Sequence, residues 1–148
     1  MFKSHMDLAL DEARKAAARG EVPVGAVVAD QSGQVLASAG NRTRECRDPT
    51  AHAEMLVIRA AAACLGSERL TGCALYVTLE PCAMCAAAIG HARIARLYYG
   101  AADPKSGGVA HGARVFSHNQ THHCHEIYSG LAERDAEALL KTFFAGLR

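Results

Sequence analysis

The sequence predicts an α/β fold of three layers, α/β/α, in which helices cover both faces of a mixed sheet of about five strands. Two apolar, strand-like runs at 24–29 and 34–39 are separated by only four residues, and so short a loop makes the strands antiparallel. A helical segment at 82–89 lies between strand-like runs at 74–79 and 94–99. This order gives a parallel pair of strands joined by a crossover helix.

The first helix precedes the hairpin. Apolar residues recur at steps of three and four from Met6 to Ala17, with charged residues between them. This spacing predicts an amphipathic helix over 4–19 that ends at Gly20. In the hairpin loop, Gly33 suits a left-handed backbone conformation.

The next two helices have recognisable boundaries. One follows Asp48-Pro49-Thr50, continues to Cys64 and ends near Gly66. The other is the Ala-rich segment 82–89, and Gly90 is expected to end it. Each begins close to residues that bind metals in other proteins.

The C-terminal part completes the fold. A turn-rich loop over 100–108 leaves the carboxyl end of a predicted strand, the edge where open α/β sheets bind ligands. A short strand at 125–129 and a final helix over 131–144 follow. The whole chain of 148 residues has the size of one ordinary domain, so we assign 1–148 to a single domain.

Three residues have the chemistry and spacing of a catalytic zinc site. His52 lies at the start of the second helix, and Cys82 and Cys85 lie in the first turn of the third. A catalytic zinc ion takes three nitrogen or sulfur ligands from the protein and keeps a fourth position for water. Helix N-termini also favour thiolates. We therefore predict one Zn²⁺ per chain, bound by His52, Cys82 and Cys85.

Glu54 follows His52 by two residues, where a carboxylate can take a proton from an activated water and return it to a leaving nitrogen. A Cys-x-x-Cys pair alone also occurs in redox sites and structural zinc sites. A structural site requires a fourth His or Cys with similar regularity, and the other cysteines form no second close pair. The pattern therefore favours a catalytic site with Glu54 as the proton shuttle.

These motifs resemble those of a known superfamily. His52-Ala53-Glu54 followed by Pro81-Cys82-Ala83-Met84-Cys85 is similar to the signature of the zinc-dependent cytidine and deoxycytidylate deaminases. Further segments resemble the bacterial tRNA-specific adenosine deaminases within that superfamily, so that the likeness covers nearly the whole chain. These segments are 21–27, 41–42, 48–54, 75–82 and 143–144.

The resemblance implies a fold of the cytidine deaminase type and hydrolytic deamination of adenosine to inosine in tRNA. The expected target is the wobble adenosine of the anticodon stem-loop, flipped into the pocket of a homodimeric enzyme. The resemblance also implies a set of substrate-binding residues, namely Val22, Asn41, Arg42, Ala53, Asp103, Lys105 and Phe144.

Several of these residue types also have ordinary structural roles. Asn41 and Asp103 are common turn formers. Arg42 and Lys105 belong to types that are usually solvated. Phe144 departs from the apolar face of the last helix, and it is interpreted either as a core aromatic or as a surface on which a base stacks.

Composition restricts the partners and the compartment. The net charge of +1 does not by itself indicate a nucleic-acid-binding protein, although three arginines cluster between 42 and 47. No run of 18 apolar residues indicates a membrane span, and the first residues lack the apolar core of a signal peptide. We expect a cytoplasmic protein with reduced cysteines and no membrane partner.

Two other functions remain open. A deaminase of a free base or nucleoside, of the guanine or cytosine type, would share the fold but would need a lid and a closed pocket. The arginine-rich loop and Asp103-Pro104-Lys105 favour the open, basic mouth of an RNA enzyme. A non-catalytic, zinc-stabilised RNA-binding module would have no need for Glu54 beside His52.

A cluster of histidines lies near the C-terminal strand. Its spacing fits no regular zinc pattern, so we interpret it as a loop that faces solvent or a partner instead of a second metal site. Its members are His118, His122, His123, Cys124 and His125.

Overall fold

The computed structural model describes residues 3–120 and 126–147. Most of the predicted histidine cluster, at 122–125, lies outside these residues. The elements in chain order are α1 (His5–Ala18), β1 (Gly25–Ala29), β2 (Val35–Gly40), α2 (Ala53–Leu65), β3 (Ala74–Leu79), α3 (Ala83–His91), β4 (Arg96–Ala101), a 3-10 turn (Val115–Ser117), β5 (Glu126–Tyr128) and α4 (Glu133–Ala145).

The strands form one mixed sheet in the order β2-β1-β3-β4-β5. Strand β1 is antiparallel to both β2 and β3, whereas β3, β4 and β5 run parallel. The hairpin, the parallel pair joined by α3, and a sheet of five strands are therefore confirmed. Gly33 in the hairpin loop has the predicted positive φ, of 91°.

Helices cover both faces of the sheet. Side chains of α2 and α3 join the larger core with inward residues of the strands, among them Val28 and Leu75. The neighbouring residue Val27 points to the opposite face and packs with Met6 and Ala9 of α1. This alternation follows from the two-residue period of a strand. Because α4 lies beside α1, the predicted three layers are confirmed.

Two helix boundaries differ from the prediction. Helix α3 continues through Gly90 to His91, and Arg93 takes the left-handed conformation with a φ of 62°. Helix α4 begins at Glu133 because Ala132 before it has a φ of 52°. The left-handed residue after α3 is not a glycine, so the glycine rule for C-terminal helix ends does not locate it. Ala132 precedes a helix, where that rule does not apply.

Three tyrosines form a ladder across the parallel strands. Tyr76, Tyr98 and Tyr128 occupy matching register positions on β3, β4 and β5. Their rings stack with centroid distances of 4.6 Å and 4.9 Å, and the ring of His5 lies 4.8 Å from Tyr76. Such cross-strand aromatic pairs stabilise a sheet, so this tyrosine ladder ties the short edge strand β5 to its neighbours.

Candidate active site

Two helix N-termini meet at the predicted metal site. His52 is the N-cap residue of α2 and Cys82 is the N-cap residue of α3. Neither side chain makes a capping hydrogen bond, so both are available to a ligand. Cys85 lies in the first turn of α3, as predicted. Cys82 is the N-cap residue and so lies one position before the first turn in which the sequence analysis placed it.

The distances among the three side chains match a tetrahedral metal site. His52 Nδ1 lies 3.6 Å from Cys82 Sγ and 3.5 Å from Cys85 Sγ. The three potential ligand atoms all lie within 4.8 Å of one another. With zinc bonds of about 2.3 Å to sulfur and about 2.0 Å to nitrogen, a tetrahedral nitrogen-to-sulfur edge is about 3.5 Å. The donor set is thus preformed for this ion.

The protonation of the two thiols also fits a divalent cation. Hydrogen bonds from Cys85 and His52 lower the pKa of Cys82 to about 4, despite partial burial. The hydrogen bond to Cys82, together with burial, raises the pKa of Cys85. The hydrogen bond to Cys82 likewise raises the pKa of His52. One thiolate therefore suppresses ionisation of the other, and a bound dication is what allows both to serve as thiolate ligands.

Glu54 lies in the first turn of α2 and is 4% exposed. Burial raises the pKa of its carboxyl group to about 7. A group with such a pKa changes protonation state easily near neutral pH, which suits general acid and base catalysis. The carboxyl group of Glu54 is therefore matched to proton transfer.

These groups open into a small cavity, the inner pocket, of about 250 Å³. Its volume lies just below the range of about 300 to 1,000 Å³ that is usual for small-molecule sites, so it suits one planar base better than a whole nucleotide. The inner pocket is lined by Val22, Val24, Asn41, Thr43, His52, Glu54, Leu79, Glu80, Cys82, Asp103 and Ser106.

Comparison with protein families agrees with this chemistry. Residues 2–101, more than half of the chain, match the model of the cytidine and deoxycytidylate deaminase zinc-binding region. The chain belongs to this deaminase family. The match includes all three potential zinc ligands and Glu54.

Relatives of this deaminase cover nearly its full length. A tRNA-specific adenosine deaminase of Agrobacterium fabrum is 60% identical, over 94% of this chain and 91% of the relative. The corresponding protein of Bacillus subtilis is 42% identical, over 97% and 89%.

Solved structures are similar as well. One, from work on A-to-I editing by tRNA:A34 deaminases at the wobble position of transfer RNA, superposes with a TM-score of 0.90 at 60% identity and covers 92% of this chain and 98% of the other. A guanine deaminase from Nitrosomonas europaea superposes with a TM-score of 0.83 at 25% identity, over 95% and 83%. The cytidine deaminase type of fold expected from the sequence is confirmed.

The inner pocket of this deaminase continues into a larger cavity, the outer groove, of about 680 Å³. Val22 and Asp103 line both cavities, while Lys105 and Phe144 line the outer groove. Phe144 is 47% exposed, so the interpretation of this residue as a core aromatic is wrong. The remaining residues of the outer groove are Leu79, Ala102, Ser106, Leu140 and Leu147.

Two predicted substrate residues line neither cavity. The guanidinium of Arg42 donates to the carboxylate of Glu45 in an ion pair. The backbone N–H of Ala53 donates to Asn41 Oδ1 at 2.8 Å. This bond turns the Asn41 oxygen toward Ala53, and the amide nitrogen of Asn41 is then available to donate to a ligand in the inner pocket. Ala53 thereby orients Asn41 through its main chain.

Two buried glutamates were not predicted as site residues. Glu21 and Glu80 are each 2% exposed, and each accepts backbone hydrogen bonds from a loop at the pocket rim. Glu21 accepts from the N–H groups of Arg44 and Glu45 at 3.1 Å and 2.9 Å. One signal in the sequence is that a glutamate directly follows the apolar run 74–79, where a charge at the end of a buried strand needs partners.

Proposed function

We propose that this deaminase converts adenosine to inosine in tRNA, at the wobble position of the anticodon stem-loop. The observation that carries the proposal is the 60% identity, over more than nine-tenths of both chains, to a relative named tRNA-specific adenosine deaminase. The joined cavities support it, because a flipped base fits the inner pocket while its flanking nucleotides occupy the outer groove. An exposed aromatic such as Phe144 offers a stacking surface for one of them.

We further propose that His52, Cys82 and Cys85 hold one zinc ion per chain and that Glu54 moves the protons. Zinc with three protein ligands keeps a position for water and lowers the pKa of that water toward neutrality. The water oxygen forms a bond to C6 of adenine while Glu54 takes one proton from that water and donates it to the neighbouring ring nitrogen. Glu54 then moves the remaining proton of that oxygen to the amino group. The C6–N bond breaks, ammonia leaves, and the C6 carbonyl of inosine remains.

The remaining residues select and orient the base. The amide nitrogen of Asn41 donates to an acceptor on the base or ribose, and Val22 and Leu79 supply apolar walls. Lys105 and Asp103 at the rim face the backbone of the flanking nucleotides, where a cation meets phosphate and a carboxylate meets a ribose hydroxyl.

A free-base deaminase is the second candidate, since the Nitrosomonas europaea guanine deaminase has the same fold at a TM-score of 0.83. The test compares four substrates with the zinc-loaded protein: an anticodon stem-loop with adenosine at the wobble position, the same RNA with adenosine elsewhere in the loop, free adenosine, and guanine. Mass spectrometry detects inosine and a coupled assay detects ammonia. We expect inosine from the first RNA alone. Ammonia from guanine without inosine in RNA would contradict the proposal.

We also propose that the enzyme is a homodimer in the cytoplasm. Helix α2 exposes apolar side chains toward its C-terminal end, including Leu65 at 45% exposure. A second copy covering this face would remove it from water. Light scattering coupled to size exclusion measures the mass, for which we expect twice that of one chain.

No helix among residues 3–120 and 126–147 has the length and apolar character that crossing a membrane requires.

A further inference from the structure

Glu80 connects the metal-site helix to the pocket rim. It follows the last residue of β3 and precedes Pro81, two positions before Cys82. Its side chain is almost completely buried, and both of its carboxylate oxygens make hydrogen bonds to segment 103–111. A buried carboxylate is costly unless hydrogen bonds satisfy its oxygens, so its partners define its role.

Both oxygens of Glu80 bind the rim segment. Oε2 accepts the backbone N–H groups of Val109, Ala110 and His111 at 3.1, 3.0 and 3.1 Å. Oε1 accepts the N–H of Asp103 at 3.1 Å and lies 2.7 Å from His111 Nδ1. Because an ionised carboxylate can only accept, His111 Nδ1 carries the hydrogen of that bond. One side chain thus holds both ends of a segment that spans nine residues.

The segment between these anchor points forms a turn that is closed on itself. Gly107 N–H donates to Asp103 O at 2.8 Å, and Ser106 N–H donates to Asp103 Oδ1 at 3.0 Å. The bond from the Asp103 N–H to Glu80 attaches this turn, which carries Lys105, to the end of β3.

We propose that Glu80 is a positioning residue that fixes Asp103 and Lys105 at the junction of the inner pocket and the outer groove, and thereby sets the affinity for the RNA chain flanking the target base. The inference rests on the proposed function. It assigns Glu80 no part in the chemical step, because its oxygens are occupied by the rim segment. Its loss therefore acts on substrate binding and leaves turnover of the bound substrate unchanged.

Glu80→Gln is the informative substitution. The amide oxygen at the Oε2 position keeps the three bonds from residues 109–111. The amide nitrogen at the Oε1 position meets the Asp103 N–H, donor against donor, and releases the turn. We expect KM for the wobble stem-loop RNA to rise about tenfold, the usual consequence of losing a hydrogen bond to a charged group, with kcat within about twofold of wild type. Glu68→Gln, at an exposed glutamate outside both cavities, is the matched control.

A second variant tests the same contact without removing the charge. A Cβ added at Gly107 would collide with the Glu80 carboxylate and with Asp103 O, so Gly107→Ala separates the turn from Glu80. The same rise in KM is expected, and this variant decides the matter if Glu80→Gln is insoluble. Zinc content and melting temperature are measured for both variants.

The results separate the two proposals. Inosine formation in RNA by the wild type tests the proposed function, and only the variants test the role of Glu80. A raised KM with kcat preserved supports positioning. Unchanged kinetics, or a fall in kcat with KM unchanged, would overturn it, the latter by assigning Glu80 to the chemical step.

Discussion

Glu54 is a common residue to which burial gives an unusual proton affinity. Its carboxyl group is 4% exposed, and burial raises its pKa to about 7. Glutamine has nearly the same shape but cannot exchange a proton. We expect Glu54→Gln to lower single-turnover inosine formation by at least about 10²- to 10⁴-fold, the usual range for general acid and base catalysis. Zinc content by elemental analysis and melting temperature should stay near wild type. Loss of zinc in this variant would instead make Glu54 part of the metal site.

Asp103 is expected to make the enzyme prefer RNA to DNA. Its Oδ1 accepts the Ser106 N–H, which supports the turn-forming role, and its second oxygen is left for a ribose 2′-hydroxyl. A hydrogen bond to a charged group contributes about 1.5 to 3 kcal/mol, or roughly ten- to a hundredfold in preference. Asparagine keeps the bond to Ser106 and removes the charge.

The measurement compares wild type and Asp103→Asn on anticodon stem-loops of identical sequence made of RNA and of DNA. We expect the RNA-to-DNA ratio of kcat/KM to fall in the variant. If both activities fell in parallel, Asp103 would act only through the turn.

The sequence predicted the three residues of the metal-site group and the neighbouring Glu54, but not the two buried glutamates Glu21 and Glu80, for a physical reason. Zinc chemistry accepts few residue types at few spacings, so His52, Cys82 and Cys85 stand out along the chain. Glu21 and Glu80 instead bind backbone groups more than 20 residues away, and any buried acid could do so. Only the fold brings those partners together.

Among the elements, the rim loops carry the charges that the sequence suggested for RNA binding. Lys105 lies in the outer groove without an ion-pair partner among the described residues, whereas Arg42 is paired with Glu45. A cation that already has an anionic partner gains less from a phosphate. The logarithm of the RNA-binding constant falls as the logarithm of the salt concentration rises. We expect Lys105→Ala to make this slope less steep by about one, and Arg42→Ala to change it by less. Fluorescence anisotropy of a labelled stem-loop at several salt concentrations measures both, and a larger effect for Arg42 would contradict this ranking.

Glu21 should make the rim loop sensitive to acid. Burial raises the pKa of its carboxyl group, but hydrogen bonds from Glu45, Arg44 and Thr43 outweigh burial and hold the pKa below its ordinary value of 4.5. A lowered folded pKa adds stability above the unfolded pKa and loses it as pH falls through the folded pKa. The melting-temperature difference between wild type and Glu21→Gln should therefore be largest above about pH 5 and shrink as pH falls below about 4. A difference that does not depend on pH would show that the charge of Glu21 is unimportant.

Element existence was easier to predict than element ends. Apolar periodicity predicted α1 and α4, because burial of one face imposes that period, and residues typical of helix ends predicted α2 and α3. The end of α3 was missed since Ile89 and Ala92 are both buried, and this packing continues the helix past Gly90. Tertiary contacts, which local sequence does not contain, decide such boundaries.

For the molecule as a whole, the mixed sheet explains why the site lies where it does. Strands β3 and β4 are parallel, so the segments following them, with Cys82 on one and Asp103 on the other, emerge at the same edge. Strand β1 is antiparallel to β3, which brings the segment before it, with Val22, to that edge as well. The local order of strands was predictable, but the pairing of β1 with β3 was not, because no short connection links them.

The tyrosine ladder gives the protein an optical signature. The chain has no tryptophan and four tyrosines, and three of these rings are stacked with centroid distances of 4.6 Å and 4.9 Å. Rings ordered in this way dominate near-ultraviolet circular dichroism, which vanishes when side-chain packing is lost while secondary structure persists. We expect Tyr128→Leu to reduce the near-ultraviolet signal and to leave the far-ultraviolet spectrum unchanged. The attachment of the edge strand can then be followed in solution without any added label.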